Sequence, residues 1–96
     1  MKIEINITGE ALNIAIEGRL DTTTAPELES AISGNCSGIT NIVLDCKELA
    51  YVSSAGLRVL LSTHKKIAGL LTLTNVCELV MEVFEITGFV DVLNIK

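Results

Sequence analysis

Between Asn41 and Ala68 the apolar period of the chain switches, and that switch narrows the possible folds more than any other feature. Ile42-Val43-Leu44 is a continuous apolar run ended by Asp45, as expected of a central strand covered on both faces. Leu57, Leu60, Leu61 and His64 then recur at helical spacing, so that face of a helix from about Ser54 to Ala68 is expected to pack inward. Gly69 is placed as its stop. A strand that feeds a helix needs a further strand to return to, which implies a crossover unit. The junction reads Tyr51-Val52-Ser53-Ser54-Ala55-Gly56-Leu57-Arg58 and sets two hydroxyls at a helix mouth. Ser53 or Ser54 can serve as N-cap, and Gly56 lets the backbone approach a neighbour or a ligand closely.

The flanking sequence repeats the theme. Ile3, Ile5 and Ile7 alternate with polar residues from Lys2 to Thr8, which predicts a half-buried strand. Thr8-Gly9-Glu10 is a turn, and Leu12, Ile14 and Ile16 form a second strand, ending at Gly18 and paired with the first as a hairpin. Thr24 and Glu27 have capping-box spacing around Pro26, and Leu28, Ala31 and Ile32 give a helical stripe stopped by Gly34. Asp21 falls in the loop before that helix, where a turn or cap carboxylate is its ordinary role. Leu70 to Thr74 is a further strand. Asn75 and Glu78 repeat the capping spacing, Val76, Val80, Val83 and Phe84 mark a third helix closed by Gly88, and Val90, Val92, Leu93 and Ile95 a last strand.

The order is therefore β-β-α-β-α-β-α-β, an α/β domain with a small mixed sheet flanked by helices. Right-handed crossovers make most of the sheet parallel. Sites in such sheets gather at the carboxyl ends of strands. The Asp21 loop and the Ser53-Ser54 loop both follow strands and so share one edge.

Composition excludes several functions. At 96 residues the chain is expected to be one domain, 1–96, with an aliphatic core, since it has two Phe, one Tyr and no Trp. A net charge of −5 without a basic run argues against nucleic acid or an anionic membrane surface as the main partner. The three cysteines lack CxxC spacing and suit a reducing cytosol better than a zinc site or disulfides. No signal-type segment and no run approaching about 18 apolar residues is present, so a soluble, cytoplasmic protein is expected.

Catalysis finds little support. The one histidine, His64, lies ten residues along the helix from Ser54, about 15 Å at 1.5 Å per residue. It cannot act as that serine's base, and no GxSxG elbow, P-loop, GxGxxG or metal-ligand set accompanies it. No enzyme activity, metal or cofactor is expected. A hydroxyl at a helix mouth suits phosphorylation by a partner instead, because the dipole and free N–H groups tolerate the added charge. Such a site is a reversible binding switch.

The chain resembles the STAS domain family, specifically the bacterial anti-sigma factor antagonists. The resemblance spans nearly the whole chain. It rests on Gly18-Arg19-Leu20-Asp21-Thr22, Ile42-Val43-Leu44-Asp45, Tyr51 to Leu60, Leu73-Thr74-Asn75-Val76 and Thr87-Gly88-Phe89. It implies a protein that, unphosphorylated, binds an anti-sigma factor, often itself a serine kinase, and so frees a sigma factor. Phosphorylation ends the binding and a phosphatase restores it. By motif match the phosphorylated residue is Ser54, and the partner surface comprises Asp21, Thr22, Ser53, Ser54, Gly56 and Arg58. The family commonly has Asp before that serine; Ser53 stands there in this chain, which adds a second possible acceptor. Ala55 replaces a residue that is often serine.

Two other readings stand beside this one. The chain could be a STAS subunit of another assembly, a lipid-transport accessory subunit or a stressosome-type scaffold, with Ser54 a structural helix cap. Arg58 and Lys65-Lys66 have an ordinary solvated helix face as their default reading.

Overall fold

A computed structural model describes residues 1–68 and 70–96. The expected helix stop at Gly69 lies outside them. Strand β1 (Lys2–Thr8) is followed by β2 (Ala11–Leu20), helix α1 (Ala25–Ser33), β3 (Asn41–Val52), α2 (Ser54–Lys66), β4 (Leu71–Thr74), α3 (Glu78–Thr87), a 3₁₀ turn at Phe89–Asp91 and β5 (Asn94–Ile95). The sheet order is β1-β2-β3-β4-β5. β1 pairs antiparallel with β2, and the remaining neighbours are parallel. The α/β class, the mixed sheet and the element order are as expected from the sequence.

The topology has a consequence for layering. From β2 onward each crossover advances one strand in the same direction. Right-handed connections of that kind leave every helix on the same face. Burial agrees. Leu12, Ile14 and Ile16 of β2, Ile42, Leu44 and Cys46 of β3, and Leu71 and Leu73 of β4 are buried in one cluster with Leu28, Leu60, Val80 and Phe84 of the helices. Asn13, Ala15, Val43, Asp45, Thr72 and Thr74, which alternate with them, are only half-buried. The expectation that β3 is covered on both faces is thus corrected. Val43 points to the face without helices, and the run is continuous only because that position happens to be apolar.

Two strands outrun their expected ends. β2 does not stop at Gly18, which takes φ +108 and pairs with Leu49, so the strand continues to the fully buried Leu20. β3 does not stop at Asp45. Ala15 faces Asp45 and Glu17 faces Glu48; Gly18 faces Leu49 and Arg19 faces Tyr51. Each step gives β3 one residue more than β2, so two bulges shift its phase from Cys46 to Leu49 to Val52. Bulges of this kind bend a strand and re-aim its side chains. These two break the alternation that a strand would otherwise show, so residues 46–52 read as loop.

Helix boundaries differ in the same local way. Thr24 stands at the N-cap of α1 but makes no capping-box bond. Its hydroxyl donates to Arg19 O at 2.6 Å and accepts from Asp21 N–H at 2.8 Å, closing the loop instead. Cys77, not Asn75, caps α3. Asn75 takes φ +56 and its Nδ2 donates to Asp45 Oδ1 at 3.0 Å, tying the β4 exit to β3. Helix α2 ends at Lys66 rather than Ala68, which takes φ +55. Val90 belongs to the 3₁₀ turn, Val92 is exposed beyond it, and only Asn94 and Ile95 extend the sheet. Gly9 at φ +61 supplies the hairpin turn, and Gly88 at φ +81 closes α3 as expected.

Candidate functional site

The strand ends bring the two loops together. Ser53 N–H donates to Leu20 O at 2.9 Å, which extends the parallel pairing of β2 and β3 to the last residue before α2. One pair earlier, Arg19 faces Tyr51, and its guanidinium lies over the phenol ring, 4.3 Å from the centroid. Arg19 Nε also stands 3.8 Å from Asp21 Oδ2. Sequence reasoning left Arg19 and Tyr51 out of the site. Their adjacency depends on the second bulge, and a linear pattern carries no sign of it.

Asp21 is held tightly by its own loop. Its Oδ1 accepts from Thr23 Oγ1 at 2.8 Å, from Thr23 N–H at 3.0 Å and from Thr24 N–H at 3.2 Å. The Thr23 hydroxyl first, then the Thr23 and Thr24 N–H groups, lower its pKa below the ordinary value of 3.8, and partial desolvation opposes them. The carboxylate is therefore charged at neutral pH and is fixed toward Arg19. Thr22 is exposed at the loop tip.

Gly56 explains how closely α2 sits on this corner. A Cβ there would lie 2.7 Å from Leu20 Cγ, 2.9 Å from Leu20 O and 2.9 Å from Val52 Cγ2. The expected close approach is present, and its main neighbour is Leu20, the last residue of the strand that leads into the Asp21 loop.

The two serines part company. Ser53 occupies the N-cap with extended backbone (φ −101, ψ 178), but its side chain makes no cap bond. Its Oγ is buried and has no hydrogen-bond partner among the described residues. Ser54 is the first residue of the helix and is exposed. The reading of Ser54 as a structural cap is therefore corrected: that position belongs to Ser53. A helix turns about 100° per residue, so Ser54, Arg58, Leu61 and Lys65 fall within one narrow arc. Ser54, Arg58 and Lys65 are exposed and Leu61 is half-buried, so Leu61 flanks the outward face rather than the core. His64 is half-buried, with Nδ1 unpartnered among the described residues.

The corner thus offers an exposed hydroxyl at the first turn of a helix, a fixed carboxylate on the adjoining loop and a cation one turn along. Among the described residues no histidine, cysteine or carboxylate cluster of metal-binding size occurs, and no helix is long and apolar enough to cross a membrane.

The STAS domain family model matches residues 2–96. The chain is 34% identical over 96 residues to BtrV of Bordetella bronchiseptica, a candidate anti-sigma factor antagonist, covering 96% of this chain and 83% of that protein. It is 26% identical over 99 residues to the anti-sigma-B factor antagonist of Bacillus subtilis, covering 100% and 91%. Among solved structures it is similar to the anti-sigma factor antagonist SpoIIAA in its unphosphorylated form, with TM-score 0.83 at 20% identity, covering 99% of this chain and 88% of that one. It is similar also to phosphorylated SpoIIAA of Bacillus, with TM-score 0.75 at 21% identity over 99% and 91%. At these identities the structural likeness bears on the fold.

Proposed function

The chain belongs to the STAS domain family, and we propose that it is an anti-sigma factor antagonist whose binding is switched off by phosphorylation of Ser54. The observation that carries this reading is the exposure of Ser54 at the first position of α2, beside a loop whose carboxylate is held ionised. The relatives' names support the partner class.

The unmodified surface is small and mixed: Thr22 and Asp21 on one loop, Ser54 and Arg58 on the next helix, with Ser53 and Gly56 setting the distance between loop and helix. An anti-sigma factor docks there and releases its sigma factor. Its kinase activity moves the γ-phosphoryl group of ATP to Ser54 Oγ; the hydroxyl proton passes to a base of the kinase and ADP leaves. A phosphatase hydrolyses the ester and restores the hydroxyl. The chain itself supplies an acceptor and a surface, not a catalyst, and works in the cytoplasm where those partners are.

The added phosphate carries about −1.5 to −2 charges. Placed on the first helical residue it meets free N–H groups and the positive end of the dipole, so the fold is not penalised. The partner is. It would have to bury a dianion next to Asp21, and an interfacial charge left unpaired costs several kcal/mol.

Isothermal titration against the anti-sigma factor of the same host tests this. Ser54→Ala binds as the native chain does and cannot be phosphorylated. Ser54→Asp binds on the order of 100-fold more weakly, about 2.7 kcal/mol, with its melting temperature nearly unchanged. Equal binding by Ser54→Asp would sink the switch.

A further inference from the structure

The edge of the sheet opposite β5 is the long strand β1, which among the described residues pairs with β2 alone. Its seven residues pair with β2 without a bulge, from Lys2↔Glu17 to Thr8↔Ala11. It contains no proline, and its charges, Lys2 and Glu4, lie on the face away from the helices, ion-paired to each other at 3.5 Å. The devices that usually blunt an edge strand are absent from the remainder.

The helix-side face of β1 is apolar and, beyond the half-buried Ile3, is left open. Ile3, Ile5 and Ile7 stand opposite the buried Ile16, Ile14 and Leu12. Yet Ile5 is 41% and Ile7 50% exposed, because the first crossover runs from β2 to β3 and its helix does not reach the edge. The molecule thus presents an unpaired backbone ladder and a row of isoleucines along the same strand.

We infer that this edge pairs antiparallel with β1 of a second copy, joining two five-stranded sheets into one of ten about a two-fold axis through Ile5. The occupant follows from the strand's own sequence. Centred on Ile5, all seven residues find partners: Ile5 meets Ile5, Ile3 meets Ile7, Glu4 meets Asn6 and Lys2 meets Thr8. Centring on Glu4 would oppose two carboxylates and pair only five residues. A shift by one residue would set isoleucine against polar residues and throw the two helix layers onto opposite faces. The Ile5 register is the one in which backbone, isoleucine row and charge agree. Isologous pairing of this kind closes on itself and removes the edge.

The arrangement leaves the Ser54 corner free. That corner lies at the carboxyl ends of β2 and β3, and the two-fold axis points the two copies of it in opposite directions. Each copy can therefore meet a partner while the edges are joined.

Sedimentation velocity of the intact chain, from about 1 μM to about 500 μM, tests the inference, with a midpoint expected at about 10–100 μM for a ladder this short. Ile5→Lys is expected to raise the dissociation constant at least about tenfold, while its circular dichroism spectrum stays native, since the side chain lies at the sheet edge and already meets water. Ile5→Cys, oxidised at high concentration, is expected to yield a disulfide-linked pair of tryptic peptides spanning residues 3–19, which contain none of the three native cysteines. A monomer throughout the concentration range overturns the proposal and leaves the edge to a different chain. A dimer that Ile5→Lys does not weaken and that Ile5→Cys does not trap as a disulfide overturns it as well.

Discussion

At the scale of single residues the candidate site depends on what is missing from Gly56. The absent Cβ lets α2 rest on Leu20, and one of the three atoms a methyl would strike is a backbone carbonyl oxygen at 2.9 Å. A flexible side chain could yield; that oxygen cannot without moving the Asp21 loop. Gly56→Ala is therefore expected to cost about 1–3 kcal/mol, the range for overpacking, although alanine is the better helix former. The same shift parts Ser54 from the Asp21 loop, so the anti-sigma factor binding proposed above should weaken with stability. Urea unfolding of the variant measures the first effect, and a variant as stable as the native chain would contradict the close-packing account. Sequence alone could assign Gly56 its close approach, because a glycine in a helix otherwise has little reason to be there. It could not say that Leu20 is the neighbour. Ser53 was equally ambiguous as an N-cap serine until its unbonded hydroxyl showed that it holds the position by its backbone alone.

At the scale of elements, the strands and helices that follow one period throughout were legible, and those that change phase were not. Ile3-Ile5-Ile7 and Leu12-Ile14-Ile16 keep period two and form the hairpin as read. β3 loses its period at Lys47 because a bulge resets the face, and it loses it again at Ala50. The junction consequently reads as a loop, and nothing in the linear pattern announces the Arg19–Tyr51 stack. Cys46 sits in the first bulge, and its thiol reports on how well the irregular strand is sealed. Burial first, then the neighbouring Asp45 and Cys77, push its pKa from 9.0 to about 12. The raised value means that the folded chain keeps a proton the unfolded chain releases, so this group's contribution is intact below pH 9.0 and is lost as pH climbs toward about 12. Over that window stability should fall about 1.4 kcal/mol per pH unit more steeply than in Cys46→Ala. Alkylation at pH 8 should modify the half-buried Cys36 and Cys77 while Cys46 stays protected until the chain unfolds. Prompt labelling of all three would mean that the bulged strand opens locally.

At the scale of the whole molecule the governing fact is that the helices lie on a single face of the sheet. The strand sequences hid this, since Ile42-Val43-Leu44 looks the same whether one face is covered or two. Connectivity reveals it: three crossovers advancing in one direction cannot place helices on both sides while all are right-handed. The two neighbours in β3 therefore make a direct test. Leu44 is 1% exposed within the core cluster, and Val43 is half-buried among Asn13, Thr72 and Asp45 on the open face. Leu44→Ala should cost about 2–5 kcal/mol, the sum of lost transfer energy and cavity. Val43→Ala removes one carbon fewer, from a surface that water already reaches, and should cost about 1 kcal/mol or less, mostly through strand preference. Chemical denaturation of both variants, with unchanged slopes, measures the contrast. Comparable large losses at both positions would mean that a second layer covers the open face in solution. The pairing inferred for β1 could not be that layer, because it extends the sheet sideways and leaves the Val43 face as it is.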